Sequence, residues 1–425
     1  MTPRHAPMPS VRNGTASIVI CTRRDLQHPD GGGSELYVET LAQHLVRAGN
    51  EVTILCAAVA GRPIEEIVAG VRYRRAGGPF SAYLQAAWAL LARRVRADVV
   101  LDVQNGIPFL SPLVSKAPVS VLLHHVHAEQ WPMVYGRLAA RLGWWIESRV
   151  GPAIYRRARY ITVCEATRTE LTRQGIDPTR VSIAYNGTPP RRALTAARSP
   201  EPRLVVLGRL VPHKRVEIVL RAAAVLRHRF DGLKIDVVGH GSWADRLRDL
   251  AAELGVEDIV TFHGFVDEDT KAELLGRAWL GVVPSVKEGW GLAVVEAASY
   301  GTASVAFAHA GGLSESIVNS TTGILVDGDE DAFIEQLGVL LADPDRCRRL
   351  GRRARQHAAA FTWPATVTTV SDVLDTSVRR RRGIGRTTGE PDSVASPPPN
   401  RAAHDVGPRL VGSTPRSYKT VRSMP

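Results

Sequence analysis

Cysteine is scarce in this chain. There are four in 425 residues, at Cys21, Cys56, Cys164 and Cys347, and no C-x-x-C pair. Their wide spacing and their apolar or helical neighbours argue against a disulfide framework or a cysteine metal site, and buried reduced thiols are expected. Long apolar runs are missing too. No stretch approaches the ~18 continuous apolar residues of a membrane-spanning helix. The polar start, Met1 to Asn13, has no apolar run of signal-peptide length. A cytoplasmic protein is expected, with peripheral contact to the inner face of a membrane left open. Acidic residues are outnumbered: 42 Asp and Glu stand against 54 Lys and Arg, for a net charge of +12. Much of that surplus sits in residues 379–425, which hold ten basic and three acidic side chains. The remaining bias suits phosphate-bearing or membrane-surface partners. No nucleic-acid recognition motif accompanies it, so no nucleic-acid partner is expected.

What the chain does have is 44% apolar residues, enough for sizeable cores, and a length that suits two domains. Short apolar runs alternate with helix-length amphipathic segments twice over. The first series includes Ser17–Cys21, Val52–Cys56, Val71–Arg74, Asp98–Leu101, Val119–His124, Tyr160–Val163 and Val181–Ala184. The second includes Leu204–Gly208, Lys234–Val238, Ile259–Phe262, Leu280–Val283, Ser304–Ala308 and Ile324–Val326. Strand–helix alternation with continuously apolar strands predicts parallel sheets covered on both faces. The fold class is therefore α/β, with two Rossmann-like doubly wound domains. The expected divisions are a flexible N-terminus at 1–15, one domain at 16–190 and a second at 200–362. A C-terminal helix at 363–381 would pack back on the first domain, and 382–425 would form a disordered basic tail.

Four segments carry candidate chemistry. Gly31-Gly32-Gly33-Ser34-Glu35 follows the first strand and opens a helix, where backbone N–H groups and the helix dipole favour an anion. A flexible turn capped by Ser34 explains the same residues equally well. Gly208-Arg209-Leu210-Val211-Pro212-His213-Lys214 follows the first strand of the second series. Its two cations stand at a carboxyl strand end, where open α/β sheets bind ligands, and suit a diphosphate. The bland alternative is a pair of solvated cations. Lys287-Glu288-Gly289-Trp290-Gly291-Leu292, with Glu296 eight residues beyond Glu288, places one carboxylate in a glycine-rich loop and one inside the following helix. A carboxylate there can accept both hydroxyls of a ribose; the alternative is a favourable acid near a helix start. Finally, His124, His125 and His127 end an apolar strand. No accompanying acid or cysteine spacing supports a metal there, and an acceptor cleft fits better than a metal site; the alternative is one satisfied core histidine with two exposed ones.

These segments, in this order, resemble the retaining glycosyltransferases of family 4, which have the GT-B fold of two Rossmann-like domains facing a cleft. The resemblance covers about residues 16–380, and its most specific parts are Glu288-x7-Glu296 and Gly208-Arg209-Leu210 with Lys214. It implies transfer of a hexosyl unit from a nucleotide-diphosphate sugar, UDP- or GDP-linked, to a hydroxyl acceptor: a glycan, a lipid-linked saccharide or a small molecule. No cofactor and no metal are implied. Arg209 and Lys214 would neutralise the diphosphate, aided by amides of Gly32 and Gly33. Glu296 would hold the ribose and Glu288 the transferred sugar. Amides around Trp290, Gly291 and Leu292 would face donor oxygens, as would Gly239. Phe265 would border the base. His124 would lie beside the anomeric carbon, with His125 and His127 on the acceptor side. Arg215 stands where glycine is frequent, which bears on donor choice. A nucleotide-sugar epimerase of the same fold is the alternative. Separately, Tyr135–Arg159 combines arginines with Trp144 and Trp145, a pattern suited either to an anionic bilayer or to core packing by the tryptophans.

Overall fold

The computed structural model describes residues 16–382 apart from Asp30 and Pro79, without the side chains of 381 and 382. The expectations for residues 1–15 and for the tail beyond Arg382 lie outside the described residues.

The first sheet contains β1 (Ser17–Cys21), β2 (Glu51–Cys56), β3 (Glu65–Val68), β4 (Val71–Arg75), β5 (Val99–Gln104), β6 (Val119–Leu123), β7 (Arg159–Thr162) and β8 (Val181–Ile183). Their spatial order is β3-β4-β2-β1-β5-β6-β7-β8. All neighbours are parallel except β3 and β4, which pair antiparallel at the edge. Ile18 of β1 lies between Val52 and Val99, and all five residues of β1 are buried, as a central parallel strand requires. The second sheet contains β9 (Arg203–Leu207), β10 (Lys234–Val238), β11 (Val260–Gly264), β12 (Leu280–Val283), β13 (Ala303–Phe307) and β14 (Gly323–Val326). It is wholly parallel in the order β11-β10-β9-β12-β13-β14. Strand order reverses between β1 and β5 in the first sheet and between β9 and β12 in the second. Those reversals are the points where loops diverge and leave a crevice at the carboxyl ends of the strands.

Helix Gly33–Arg47 and the long helix Trp363–Arg382 cover one face of the first sheet, and the latter also packs on β5, β6, β7 and β8. The last helix thus belongs spatially to the first domain, although its chain comes from the second. The two crossings are tied together. Thr188 donates its N–H to Phe361 O at 2.9 Å and its hydroxyl to Ala358 O at 2.8 Å. Thr366 donates to Tyr185 O at 2.6 Å. At Gly187 a Cβ would fall 2.4 Å from Trp363 N, so only glycine fits where the crossings touch. The segment after Thr188 is no free linker. Ser199 N–H bonds Arg277 O at 3.0 Å and Arg198 reaches Trp279 O at 2.6 Å, so it lies along the second domain.

Candidate active site

The loop after β9 is built by glycines. Gly208 has φ +148°, and Gly239, after β10, has φ +128°. A Cβ on Gly239 would lie 2.0 Å from Gly208 O. Gly239 therefore lets the ends of β9 and β10 touch, and Arg209, which follows Gly208, lines the crevice at the strand end. A short helical turn, Pro212–Lys214, then returns Lys214 to the same crevice. From β12 come Pro284, Ser285 and Glu288. These segments line one cleft at the switch point, with Arg209, Lys214, Ser285 and Glu288 as its polar groups.

Within it Lys214 Nζ donates to Glu288 Oε1, and Ser285 Oγ donates to the same oxygen at 2.7 Å. Burial alone would raise the Glu288 carboxyl. The charge and hydrogen bond of Lys214, with the Ser285 hydroxyl, hold it below the usual carboxylate range, so it is ionised at neutral pH. His213 is pushed down to about 4 by burial and then by Lys214 beside it, so it adds no positive charge. The backbone of Glu288 is fixed by a second glycine pair. Glu288 N–H bonds Ala310 O at 3.1 Å, and Gly312 N–H bonds Glu288 O at 3.0 Å. A Cβ on Gly312 would stand 1.8 Å from Gly289 O.

The first domain closes over this cleft. A Cβ on Gly32 would lie 3.2 Å from Arg209 Nε, one on Gly33 would lie 2.9 Å from Leu292 Cδ1, and one on Gly289 would lie 2.5 Å from His124 O. The glycines thus permit a close approach between domains. Glu35, one turn into the helix, is buried and reaches back: its Oε2 accepts Gly32 N–H and Ser34 Oγ, both at 2.9 Å, and its Oε1 accepts Arg24 Nε at 3.3 Å. The anion expected at this helix start is here supplied by the protein itself, because a Glu at the third helical position can cap the turn before it. The amide of Gly32 is engaged by Glu35, which the sequence reading did not foresee.

His124 follows β6 directly and is buried, edge-on to Tyr37 at 5.1 Å between ring centroids. Its Nε2 makes no hydrogen bond within the protein. Burial pushes it down to about 4 against the pull of Glu35, so it is neutral at pH 7. The His125 and His127 rings lie 4.3 Å apart between centroids, tilted by 38°. His127 is tied by Nδ1 and by its amide to Glu147 Oε1, both at 3.0 Å, while Glu147 Oε2 accepts Trp131 Nε1 at 2.7 Å. His125 Nε2 meets Gln130 Oε1 at 3.3 Å. Both rings thus have side-chain partners within the first domain.

Of the expected donor contacts, only Arg209, Lys214 and Glu288 line that cleft directly. Glu296 is buried in helix Leu292–Ser299 and its Oε1 accepts Lys271 Nζ at 3.1 Å; burial raises its carboxyl while Lys271 opposes. Phe265, just past β11, is 86% exposed. Trp290 turns its side chain away from the cleft, into the core between the domains, against Phe361 at 4.7 Å and Tyr185 at 4.8 Å. Gly291, at φ +83°, begins the helix that Leu292 opens. Among the described residues no group of three or more His, Cys, Asp or Glu is arranged to hold a metal ion. Ser285, Lys271, Glu35 and Glu147 escaped the sequence reading. Only Glu35 had a local signal, its spacing from Gly32.

Residues 31–192 match the family model of glycosyltransferase family 4, and residues 191–357 match that of glycosyl transferases group 1. The D-inositol 3-phosphate glycosyltransferase of Salinispora tropica is 33% identical over 404 residues, covering 83% of each chain. The enzyme of that name from Nocardia farcinica is 41% identical over 168 residues; that match covers 38% of this chain and only 37% of the relative. Anabaena HepE, solved in complex with UDP and glucose, shares the fold with a TM-score of 0.66 at 18% identity, over 85% of this chain and all of that one. With both halves of the chain matched in order and its two parallel sheets facing one cleft, the protein belongs to glycosyltransferase family 4 and has the GT-B fold.

Proposed function

We propose that this glycosyltransferase moves a hexosyl unit from a nucleoside-diphosphate sugar to a hydroxyl acceptor, retaining the anomeric configuration. The observation that carries the reading is the meeting of Arg209, Lys214 and ionised Glu288 at the carboxyl ends of β9 and β12, opposite Gly32, Gly33 and His124. The diphosphate lies between Arg209 and Lys214. As the bond from the anomeric carbon to the phosphate oxygen breaks, negative charge grows on that oxygen, and fixed cations stabilise it most where charge develops. Lys214 exchanges its partner Glu288 for the diphosphate. Glu288, still oriented by Ser285, accepts hydroxyls of the sugar. Neutral His124 supplies a hydrogen-bonding nitrogen near the anomeric carbon without adding charge that would compete with Lys214. The acceptor hydroxyl enters on the face the diphosphate leaves, and its proton passes to the departing phosphate oxygen. No side chain is assigned as a covalent nucleophile.

Helix Leu292–Ser299 would present Glu296 to the ribose once Lys271 yields one oxygen, and exposed Phe265 offers a face for the base. Because HepE was solved with UDP and glucose, a UDP-hexose is the first donor to assay and a GDP-hexose the second. The names of the curated relatives make an inositol phosphate the first acceptor. The test is product analysis by NMR with an α-linked nucleotide sugar. An α-linked product supports the reading. A β-linked product contradicts retention, and interconversion of the donor sugar without transfer would favour an epimerase.

A further inference from the structure

Two helices of the first domain are amphipathic the wrong way round. Helix Ser81–Leu91 buries Ala82 and Ala86 and turns Leu84, Trp88 and Leu91 outward, at 73%, 47% and 65% exposure. Helix Arg137–Trp145 buries Ala140 and Gly143 and turns Leu138, Leu142 and Trp145 outward, at 81%, 58% and 55%. In both, the exposed residues follow i, i+4, i+7 spacing, which is one continuous stripe of a helix. Folded chains bury such stripes; scattered single leucines need no explanation, but two whole stripes do. Trp144, next to the exposed Trp145, packs inward on the core, so the two tryptophans divide between the roles the sequence left open. Both helices cover the same apolar layer on one face of the first sheet, through Ala86 and Leu90 from one and Trp144 from the other.

Charge supplies the second observation. From Phe80 to Arg157 there are nine Lys and Arg against four Asp and Glu. Two of the acids, Asp102 and Glu147, are buried, and a third, Glu129, pairs with Lys287 across the cleft at 2.9 Å. Arg93, Arg94, Arg96, Arg137, Arg141 and Arg149 are exposed and flank the two stripes. The Arg94 guanidinium lies 3.7 Å from the Trp88 ring centre.

We propose that this face docks the enzyme on an anionic lipid bilayer, with the leucines and tryptophans entering the headgroup boundary and the arginines meeting lipid phosphates. Leucine and tryptophan stripes bordered by arginine are what such an interface rewards. A second copy is the poorer occupant, because a two-fold contact would set arginine against arginine. The inference is independent of which sugar or acceptor the cleft takes.

The full chain is sedimented with vesicles of phosphatidylcholine alone and with about a third phosphatidylglycerol, together with the variants L84Q/W88Q, L138Q/L142Q and R137Q/R141Q. Binding to the anionic vesicles only is expected, weakened about tenfold or more by each pair, with melting temperatures near that of the parent. Failure of the parent chain to bind anionic vesicles overturns the proposal. So does unchanged binding in all three variants, which would assign the lipid contact to another segment. A dimeric parent that these substitutions convert to monomer would overturn it in favour of a second copy.

Discussion

Lys214 is asked to do more than any other single side chain. It pairs with Glu288 and, on the proposed reading, neutralises the donor diphosphate. Lys214→Ala should lower kcat by about 10²–10³, the usual effect of removing a fixed donor where charge develops. It should also free the Glu288 carboxyl to rise, because burial stays and the opposing charge goes. The acid limb of the pH–rate profile then moves to higher pH; a profile that keeps its shape would separate Lys214 from Glu288. His124 makes a second prediction. Its folded pKa of about 4 lies below the ordinary 6.5. Between those values the unfolded chain binds a proton that the folded chain refuses. Stability therefore falls as pH drops from about 6.5 to 4, by up to roughly 3 kcal/mol from this residue. Asp102 works in the opposite sense, since burial raises it to about 6. Urea midpoints should fall with acidification in the parent, and less steeply in His124→Gln. Equal slopes would mean that His124 is solvated and titrates normally.

At the scale of elements, the cleft depends on glycines that let backbones meet. Gly312→Ala would force the loops of Glu288–Gly289 and Gly311–Gly312 apart, because its Cβ would stand 1.8 Å from a carbonyl oxygen that cannot move aside. Activity should fall at least as far as in Glu288→Gln, with a melting temperature lowered by several degrees. Retained activity would show that the loop is not held by this contact. The strands themselves were legible in the sequence. Central parallel strands are apolar on both faces, and Ser17–Cys21, Lys234–Val238 and Leu280–Val283 were bounded to the residue. β3 was not foreseen, because Glu65–Val68 is a mostly exposed edge strand without an apolar run. The segment Tyr135–Arg159, singled out for its arginines and tryptophans, is continuously helical from Arg137 to Ile154, and the π-turn Ile146–Val150 inside it, which no residue type announces, places Glu147 against His127 and Trp131. Of the site, the cations and Glu288 were readable because their residue types and strand-end position announce them. Ser285 and Lys271 act through contacts that only the fold creates, whereas Glu35 caps its own helix start at a spacing the sequence does carry.

For the whole molecule, the question is what holds the two domains together across the cleft. Lys287, nearly buried in the second domain, pairs with Glu170 at 2.7 Å and Glu129 at 2.9 Å in the first. Glu315 of the second domain accepts the N–H groups of Glu165 and Ala166, both at 2.9 Å, and so caps helix Glu165–Arg173 of the first. Trp290 adds an aromatic contact at the crossing. Breaking a partly buried pair removes about 1–3 kcal/mol after allowance for the half-exposed Glu129. Lys287→Met should therefore favour the open arrangement, enlarge the radius of gyration in solution scattering, and raise the donor KM several-fold with a smaller change in kcat. An unchanged scattering profile and KM would show that closure rests on the apolar contacts.

The most direct measurement is calorimetric titration of the parent chain and of the Arg209→Ala/Lys214→Ala double variant with UDP and with GDP. One of the two nucleotides should bind the parent, and the variant should lose at least about 100-fold in affinity while melting as the parent does. Equal affinity in the two proteins would contradict the diphosphate site at the ends of β9 and β12.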